Sequence, residues 1–276
     1  MPLHNPSHSY SGPEKVKYLF IDGGCLDSLL VNLSEGLFEG TAIEIDYRLL
    51  ADGYQKVFYY DCLPAQKPHE SEADYQERIK PKIQLFNHLK SLNGFHVYEG
   101  TARHRNKRRG QEQKQVDIMI AVDMLIHSVR RNMHEATLLT GDLDFKPLID
   151  ALVQEGMHIS LWYPKGKANH ELVDAADSRE ALTIDSIRRW CPHDFNRIVL
   201  DALLPYVMSA ESFDSGLSLD KIDRIEQITE EGFLYEKEGR YFALFPRLNQ
   251  PLLYEHSNLE QLRFYIEHRY SPNVLR

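Results

Sequence analysis

Long apolar runs and paired cysteines are both missing from this 276-residue chain. No stretch approaches the roughly 18 consecutive apolar residues of a membrane-spanning helix, and residues 1–6 lack the apolar centre of a secretion signal. The three cysteines at positions 25, 62 and 191 are far apart, and none forms a zinc-binding pattern with histidine. Sparse, unpaired cysteines are typical of a reducing compartment, so we expect a cytoplasmic protein.

An excess of positive charge is missing as well. The chain has 32 Lys and Arg residues against 41 Asp and Glu residues, which gives a formal net charge of −9. Proteins that wrap nucleic acid through their overall charge are basic, so any contact with nucleic acid must be local. With 42% hydrophobic and 26% charged residues, the composition is otherwise that of a soluble globular protein.

Two acids follow a short apolar run at 138–145, which reads Leu-Leu-Thr-Gly-Asp-Leu-Asp-Phe. Apolar residues then recur at helical spacing, which predicts a buried strand that passes directly into a helix, with Asp142 and Asp144 at the junction. One acid at that position could simply cap the helix. Two acids suggest a cation-binding site when other strand ends add carboxylates, because a cluster of like charges persists only if a cation neutralises it.

Two further strand ends carry acids. The apolar run at 17–21 ends at Asp22, and an aromatic run at 55–60 ends at Asp61. Ligands collect at the carboxyl ends of strands in open α/β sheets, although a strand-end aspartate is also common in ordinary turns. We therefore place Asp22 at the predicted site and treat Asp61 as an additional candidate.

A helix is predicted over about 114–131, and Asp117 lies near its start. Its buried face is predicted to contain Val116, Ile120, Met124 and Val129. Asp117 therefore joins the predicted acids if the helix begins at the same edge of the sheet.

Three segments in this order resemble the NYN domain, the LabA-like branch of the PIN-type nucleases. They are IDG at 21–23, KQVDIMIAVD at 114–123 and TGDLDFKPL at 140–148, and the resemblance covers about residues 16–185. It implies a parallel α/β sheet with an acidic site that binds Mg²⁺ or Mn²⁺ and acts on RNA. By position, Asp22, Asp117, Asp142 and Asp144 match the family's catalytic and metal-binding acids.

One position departs from the family. NYN domains usually carry Asn shortly after the first acid, whereas this chain reads Asp22-Gly23-Gly24-Cys25. Loss of that amide would weaken the positioning of substrate or metal. Two functions therefore stay open: a metal-dependent ribonuclease that hydrolyses single-stranded RNA, and a weak or inactive NYN module that binds RNA for regulation.

Two other interpretations fit less well. A haloacid-type phosphatase needs a second aspartate where Gly24 stands. A purely structural role as caps and turns explains each acid singly but does not explain the ordered set.

A basic run lies just before the second acidic segment. Its cations are Arg103, Arg105, Lys107, Arg108 and Arg109. Such a run is often only a solvated loop, but cations beside a metal–carboxylate site can hold successive phosphates. We predict that these residues, with Lys114 and Thr140, bind the substrate.

The chain divides into three predicted parts. Residues 1–15 form a flexible lead-in, 16–190 form a PIN-like domain with a parallel sheet flanked by helices, and 191–276 form a small C-terminal α+β appendage. The appendage could serve in a homo-oligomer or dock a protein partner.

Within the appendage, the pattern predicts three elements. Alternating residues at 232–245 predict a hairpin, isoleucines at 222, 225 and 228 suggest a short helix, and a final helix is expected at 258–269.

Overall fold

The computed structural model describes residues 15–100, 111–200, 203–208, 223–227, 232–245 and 252–269. The strands are β1 (Lys17–Asp22), β2 (Lys56–Cys62), β3 (Phe95–Gly100), β4 (Glu135–Leu139), β5 (His158–Pro164), β6 (Ser178–Leu182), β7 (Tyr206–Met208), β8 (Asp223–Gln227), β9 (Phe233–Lys237), β10 (Arg240–Phe245) and β11 (Leu252–His256). The helices are α1 (Gly23–Leu37), α2 (Tyr47–Leu50), α3 (Glu72–Ser91), α4 (Gln111–Val129), α5 (Lys146–Gln154), α6 (His170–Ala175), α7 (Ile184–Trp190), α8 (His193–Phe195) and α9 (Leu259–Arg269). A 3₁₀ turn spans Leu143–Phe145 and a π-helical turn spans Asn196–Leu200.

Six described strands form a parallel sheet in the order β3-β2-β1-β4-β5-β6. From β1 the chain builds the sheet outward through β2 and β3 on one side, and then through β4, β5 and β6 on the other. The strand order reverses between β1 and β4. Open α/β sheets bind ligands in the crevice beyond the carboxyl ends of two such strands. The predicted PIN-like α/β architecture is confirmed.

Apolar side chains fill both faces of this sheet. Along β1, Leu19 and Ile21 pack in the cluster that contains α1, whereas Tyr18 and Phe20 pack in the cluster that contains α4 and α5. Alternation of this kind follows from the two-residue period of a strand. Both faces of β1 are therefore buried, which holds its end in a fixed position.

The buried face of α4 agrees with the prediction except at its last residue. Val116, Ile120 and Met124 are buried, but Val129 is 74% exposed. At about 100° per residue, Val129 lies roughly opposite Ile120 on the helix surface, so it faces solvent.

The C-terminal strands form an antiparallel sheet in the order β7-β11-β10-β9-β8. The predicted hairpin and final helix are present as β9–β10 and α9. The short helix predicted from the isoleucines is wrong, because β8 occupies that segment and pairs with β9. Branched residues favour strands, and pairing with β9 outweighs the helix-like spacing.

Helix α9 packs against the α/β region. Leu262 and Ile266 share one apolar cluster with Leu29 and Leu33 of α1. A Cβ at Gly36 would collide with the ring of Phe264, so the close approach of the two helices requires glycine at this position. The predicted domain boundary near residue 190 stays a prediction, and the lead-in lies outside the described residues except for its last residue.

No helix in the described ranges has both the length and the apolar character needed to cross a bilayer.

Candidate acidic site

Asp22 ends β1 and caps the amino end of α1. Its Oδ1 atom accepts a hydrogen bond from the backbone N–H of Cys25 at 3.1 Å, and its Oδ2 atom accepts one from the Thr140 hydroxyl at 3.0 Å. The residue is only 5% exposed. Burial, the largest cause, raises the pKa of Asp22, and the charges of Asp61 and Asp142 raise it further. Its two hydrogen bonds act in the opposite direction.

The end of β4 lies beside Asp22. Thr140 is fully buried, and its hydroxyl oxygen accepts a hydrogen bond from the backbone N–H of Asp142 at 3.2 Å while it donates to Asp22. One hydroxyl thus connects the ends of two strands across the reversal of strand order. Asp142 caps the following 3₁₀ turn by accepting from the Asp144 N–H at 2.9 Å.

The other two predicted acids border a neighbouring pocket of about 270 Å³. Asp117, Ile118 and Ala121 of α4 line one side, and Asp144, Phe145 and Leu148 line the other. Hydrogen bonds thus link Asp22, Asp142 and Asp144, and Asp117 shares a pocket with Asp144; we call these four acids the acidic rim. Among the described residues, no three side chains of His, Cys, Asp or Glu are arranged to hold a metal ion by themselves.

Asp61 lies next to the acidic rim but has a different environment. Its Oδ1 atom accepts from the backbone N–H of Cys62 at 2.7 Å. Its Oδ2 atom lies 2.6 Å from Lys82 Nζ and accepts from the Tyr59 hydroxyl at 3.3 Å. Burial raises the pKa of Asp61, and Lys82 counters that effect. Asp61 therefore already has a cation beside it, and Asp22 forms no ion pair within the described residues.

The sequence pattern of the NYN domain matches residues 45–183. This chain belongs to the NYN domain family. Its domain is therefore of the PIN-like nuclease type. The match contains Asp117, Thr140, Asp142 and Asp144, and it begins after Asp22.

A solved structure of a protein of unknown function from Vibrio parahaemolyticus is also similar to this NYN domain. It is 18% identical, has a TM-score of 0.44, and covers 63% of this chain and 97% of its own. Similarity at this level says nothing about function. No curated protein matches the chain.

Cys25 occupies the region where NYN domains usually carry Asn. Burial, and then the charge of Asp22, raise the pKa of its thiol to about 12. A thiol with that pKa is neutral near pH 7, and a neutral thiol is neither a strong nucleophile nor a good metal ligand. Cys25 therefore supplies bulk at the crevice and does not replace the amide chemically.

Two lysines near the crevice were not predicted from the sequence. Lys82 lies at helical spacing with Ile79 and Phe86 on the buried face of α3. A cation within such an apolar stripe indicates that a buried acid faces it. Lys167 is exposed in the turn after β5, and its charge lowers the pKa of the Cys25 thiol. No sequence pattern marks Lys167.

The predicted phosphate-binding cations are not tested by the structure. The run from Arg103 to Arg109 lies outside the described residues, and only the backbone of Lys114 is described, as part of α4. These residues stay predictions.

Proposed function

We propose that this NYN domain is a divalent-metal-dependent ribonuclease that hydrolyses single-stranded RNA at the crevice between β1 and β4. One observation carries the proposal. Buried Asp22 has the charge of Asp142 beside it, and in the described part of the chain no lysine, arginine or histidine forms an ion pair with it. Within the described residues this carboxylate lacks a cation, and we propose that a bound metal ion supplies it.

The residues at the crevice fit Mg²⁺ or Mn²⁺ by their chemistry. Both ions prefer hard oxygen ligands, and Mg²⁺ commonly takes only one or two carboxylates from the protein while it keeps several waters. Asp22 and Asp142 are the proposed ligands. Once bound, the metal would polarise the phosphodiester and lower the pKa of a water molecule.

Thr140 acts as a positioning residue in this proposal. A hydroxyl has one proton to donate, and Thr140 gives that proton to Asp22. Full burial also keeps its side chain from the solvent. Its predicted contact with substrate is therefore better assigned to the fixing of Asp22, as in the outer shell of other metal sites.

The second pair of acids serves the attacking water. Asp117 and Asp144 border the pocket next to the crevice, where their carboxylates can accept a proton or orient a water molecule. Lys167, Lys114 and the basic run would hold phosphates of the RNA on either side of the bond that is cut. Hydrolysis needs no Ser or Cys nucleophile in this arrangement.

Cleavage of single-stranded RNA by the purified protein tests the proposal. With Mn²⁺ or Mg²⁺ present we expect cleavage products that disappear with a chelator and with the variant Asp142→Asn. Asp150→Asn is the matched control, because Asp150 forms an ion pair with Lys146 on α5 and does not belong to the acidic rim. Cleavage that survives Asp142→Asn would contradict the proposal.

The second candidate is an RNA-binding module without hydrolysis, and Cys25 favours it because the usual amide is absent. Such a module would bind RNA with a steep dependence on salt and would give no metal-dependent products. Binding and cleavage measured on one RNA therefore separate the two functions.

A further inference from the structure

Strand β3 carries two aromatic rings at the edge of the parallel sheet. It comes first in the order β3-β2-β1-β4-β5-β6, so within the described chain its one strand neighbour is β2. Alternate side chains of a strand point to the same face, and His96 and Tyr98 therefore share one face of β3. His96 is exposed and Tyr98 is half-buried, although both lie beside the cluster that contains α4.

Each of these two rings lies flat against a ring of β2. The ring centroids of Phe58 and His96 are 4.9 Å apart with 19° between the ring planes. Those of Tyr60 and Tyr98 are 4.9 Å apart with 9° between the planes. Phe20 of β1 continues the first stack inward, at 4.9 Å and 8° from Phe58. The rings of β2 thus cover one face of His96 and one face of Tyr98, and the opposite faces point outward from the sheet.

We propose that these outer faces form a stacking platform, His96 and Tyr98, for two bases of a single-stranded RNA. Every nucleobase has a flat π face, so aromatic rings bind single strands with little dependence on sequence. Residues two apart on a strand place the rings roughly 6.6 Å apart, which neighbouring bases of an extended strand can match. Sheets that bind single-stranded RNA stack successive bases on strand aromatics in this way. The platform rests on the proposed function, because it holds that function's substrate.

The charges at the amino end of the platform suit a phosphate backbone. Burial, and then the charge of Lys56, lower the pKa of His96, so its ring is neutral near pH 7 and can stack on a base. Burial is also the largest cause that lowers the pKa of His127, and the charges of Lys56 and Arg130 lower it further. Two cations therefore lie near this end of β3, where they can contact phosphates.

One acid also lies near the rings. Asp123 of α4 accepts a hydrogen bond from the Tyr60 hydroxyl at 2.8 Å. Burial, and then the charge of Asp123, raise the pKa of Tyr98. Because Tyr60 belongs to β2, this hydrogen bond holds Asp123 on the inner side of Tyr98, and the outer ring face stays available to a base.

The platform leads toward the acidic rim. Strand β3 ends at Gly100, where a Cβ would lie 3.0 Å from Cγ2 of Val116. Val116 directly precedes Asp117, so the carboxyl end of β3 reaches α4 beside the acidic rim. Tyr98 lies two residues before that point and His96 lies four residues before it. RNA that stacks on the platform can therefore continue past Asp117 to the crevice.

Binding of a labelled single-stranded RNA in the presence of a chelator tests the platform without cleavage. We expect His96→Ala and Tyr98→Leu each to weaken binding roughly 10-fold, since each removes one stacked base. Tyr98→Phe keeps the ring and should bind as wild type does. The matched control is Tyr206→Leu, which alters a tyrosine that is 67% exposed on β7 and should leave binding unchanged.

An abasic strand of the same length separates stacking from contacts with phosphates. We expect both ring variants to bind the abasic strand as wild type does, and to keep the wild-type salt dependence with intact RNA. No binding of RNA by wild type, equal binding of intact RNA by wild type and both ring variants, or an equal loss with intact and abasic strands would overturn the proposal. The edge of β3 would then be left for pairing with a peptide strand.

The same measurements distinguish failure of the platform from failure of the ribonuclease proposal. Asp142→Asn should bind RNA as wild type does and should depend on the two rings in the same way. Binding that depends on the rings, in a wild type that does not cleave RNA, would contradict the ribonuclease proposal and support the platform. Cleavage by wild type together with binding that ignores the rings would overturn the platform alone.

Discussion

Two buried aspartates lie at the ends of neighbouring strands in this sheet, and the charges around them differ. Asp61 on β2 forms an ion pair with Lys82 and accepts from the backbone N–H of Cys62. Asp22 on β1 accepts from a hydroxyl and one backbone N–H, and the nearby charge of Asp142 repels it. Both residues are at most 5% exposed.

The difference teaches that burial alone does not mark a functional acid. Taking a carboxylate out of water is costly unless a cation or several hydrogen bonds compensate. The chain itself provides the cation for Asp61. For Asp22 the described residues provide two hydrogen bonds but no ion pair, and the proposed function assigns the missing cation to a bound metal ion.

Replacement of each aspartate by asparagine should give opposite results. Asp22→Asn should lower metal-dependent RNA cleavage by roughly 100-fold or more, because a ligand is lost, while stability changes little. Asp61→Asn should lower the free energy of unfolding by about 2–3 kcal/mol, because Lys82 loses its most buried partner. Urea unfolding and initial cleavage rates check both.

A reversal would break the comparison. If Asp61→Asn folded normally and lost cleavage while Asp22→Asn kept it, Asp61 would be the functional acid.

The adjacent glycines Gly23 and Gly24 sharpen the same contrast. A Cβ at Gly23 would lie 2.6 Å from Asp61 Oδ2 and 2.7 Å from the Tyr59 ring, whereas one at Gly24 would lie 3.4 Å from Asp22 Oδ1. Gly23→Ala should therefore cost about 1–3 kcal/mol of stability through overpacking. Gly24→Ala should change stability very little. Thermal unfolding of both variants measures the difference. Equal losses of stability would contradict the packing described for Asp61.

Two threonines of the same segment separate positioning from folding. Thr140→Val removes the hydroxyl that links Asp22 to Asp142, and we expect a loss of cleavage of roughly 10-fold. Thr137 is also buried, but its hydroxyl accepts from Tyr54 instead. Thr137→Val should cost about 1 kcal/mol of stability and leave cleavage unchanged. Equal activity in both variants would remove Thr140 from the site.

The smallest expected effect lies at the amino end of β4. Lys15 and Lys17 hold Glu135 by ion pairs and lower its pKa from the ordinary 4.5 to about 2. A lowered pKa stabilises the fold above pH 4.5, and the stabilisation is lost as the pH falls through about 2. Because the lysines are exposed, Glu135→Gln should cost only a few tenths of a kcal/mol near pH 7.

Urea unfolding of wild type and Glu135→Gln from neutral to acid pH measures this difference. A gap that widens toward low pH would contradict the direction given for Glu135.

The sequence predicted the parts of the site that are local. Apolar runs that end in acids identify the ends of β1 and β4, since a strand and its following turn are set by neighbouring residues. The contact between Thr140 and Asp22 joins residues 118 positions apart, and the partnership of Lys82 with Asp61 depends on how α3 packs. Neither follows from a local pattern.

Strands β6, β7, β8 and β11 escaped prediction, and β6 and β8 show the reason. Strand β6 reads Ser-Arg-Glu-Ala-Leu at the edge of the sheet, where one neighbour suffices and few apolar residues are needed. Strand β8 is held by its pairing with β9, which its isoleucine spacing does not reveal. Predictions from spacing therefore fail where tertiary pairing decides the conformation.

Calorimetric titration of the full chain with Mn²⁺ tests most directly whether Asp22 is the acid that requires an external cation. We expect wild type and Asp150→Asn to bind Mn²⁺ equally, and Asp22→Asn to bind it at least roughly 10-fold more weakly. Equal binding by wild type and Asp22→Asn, or no binding by wild type, would contradict the account.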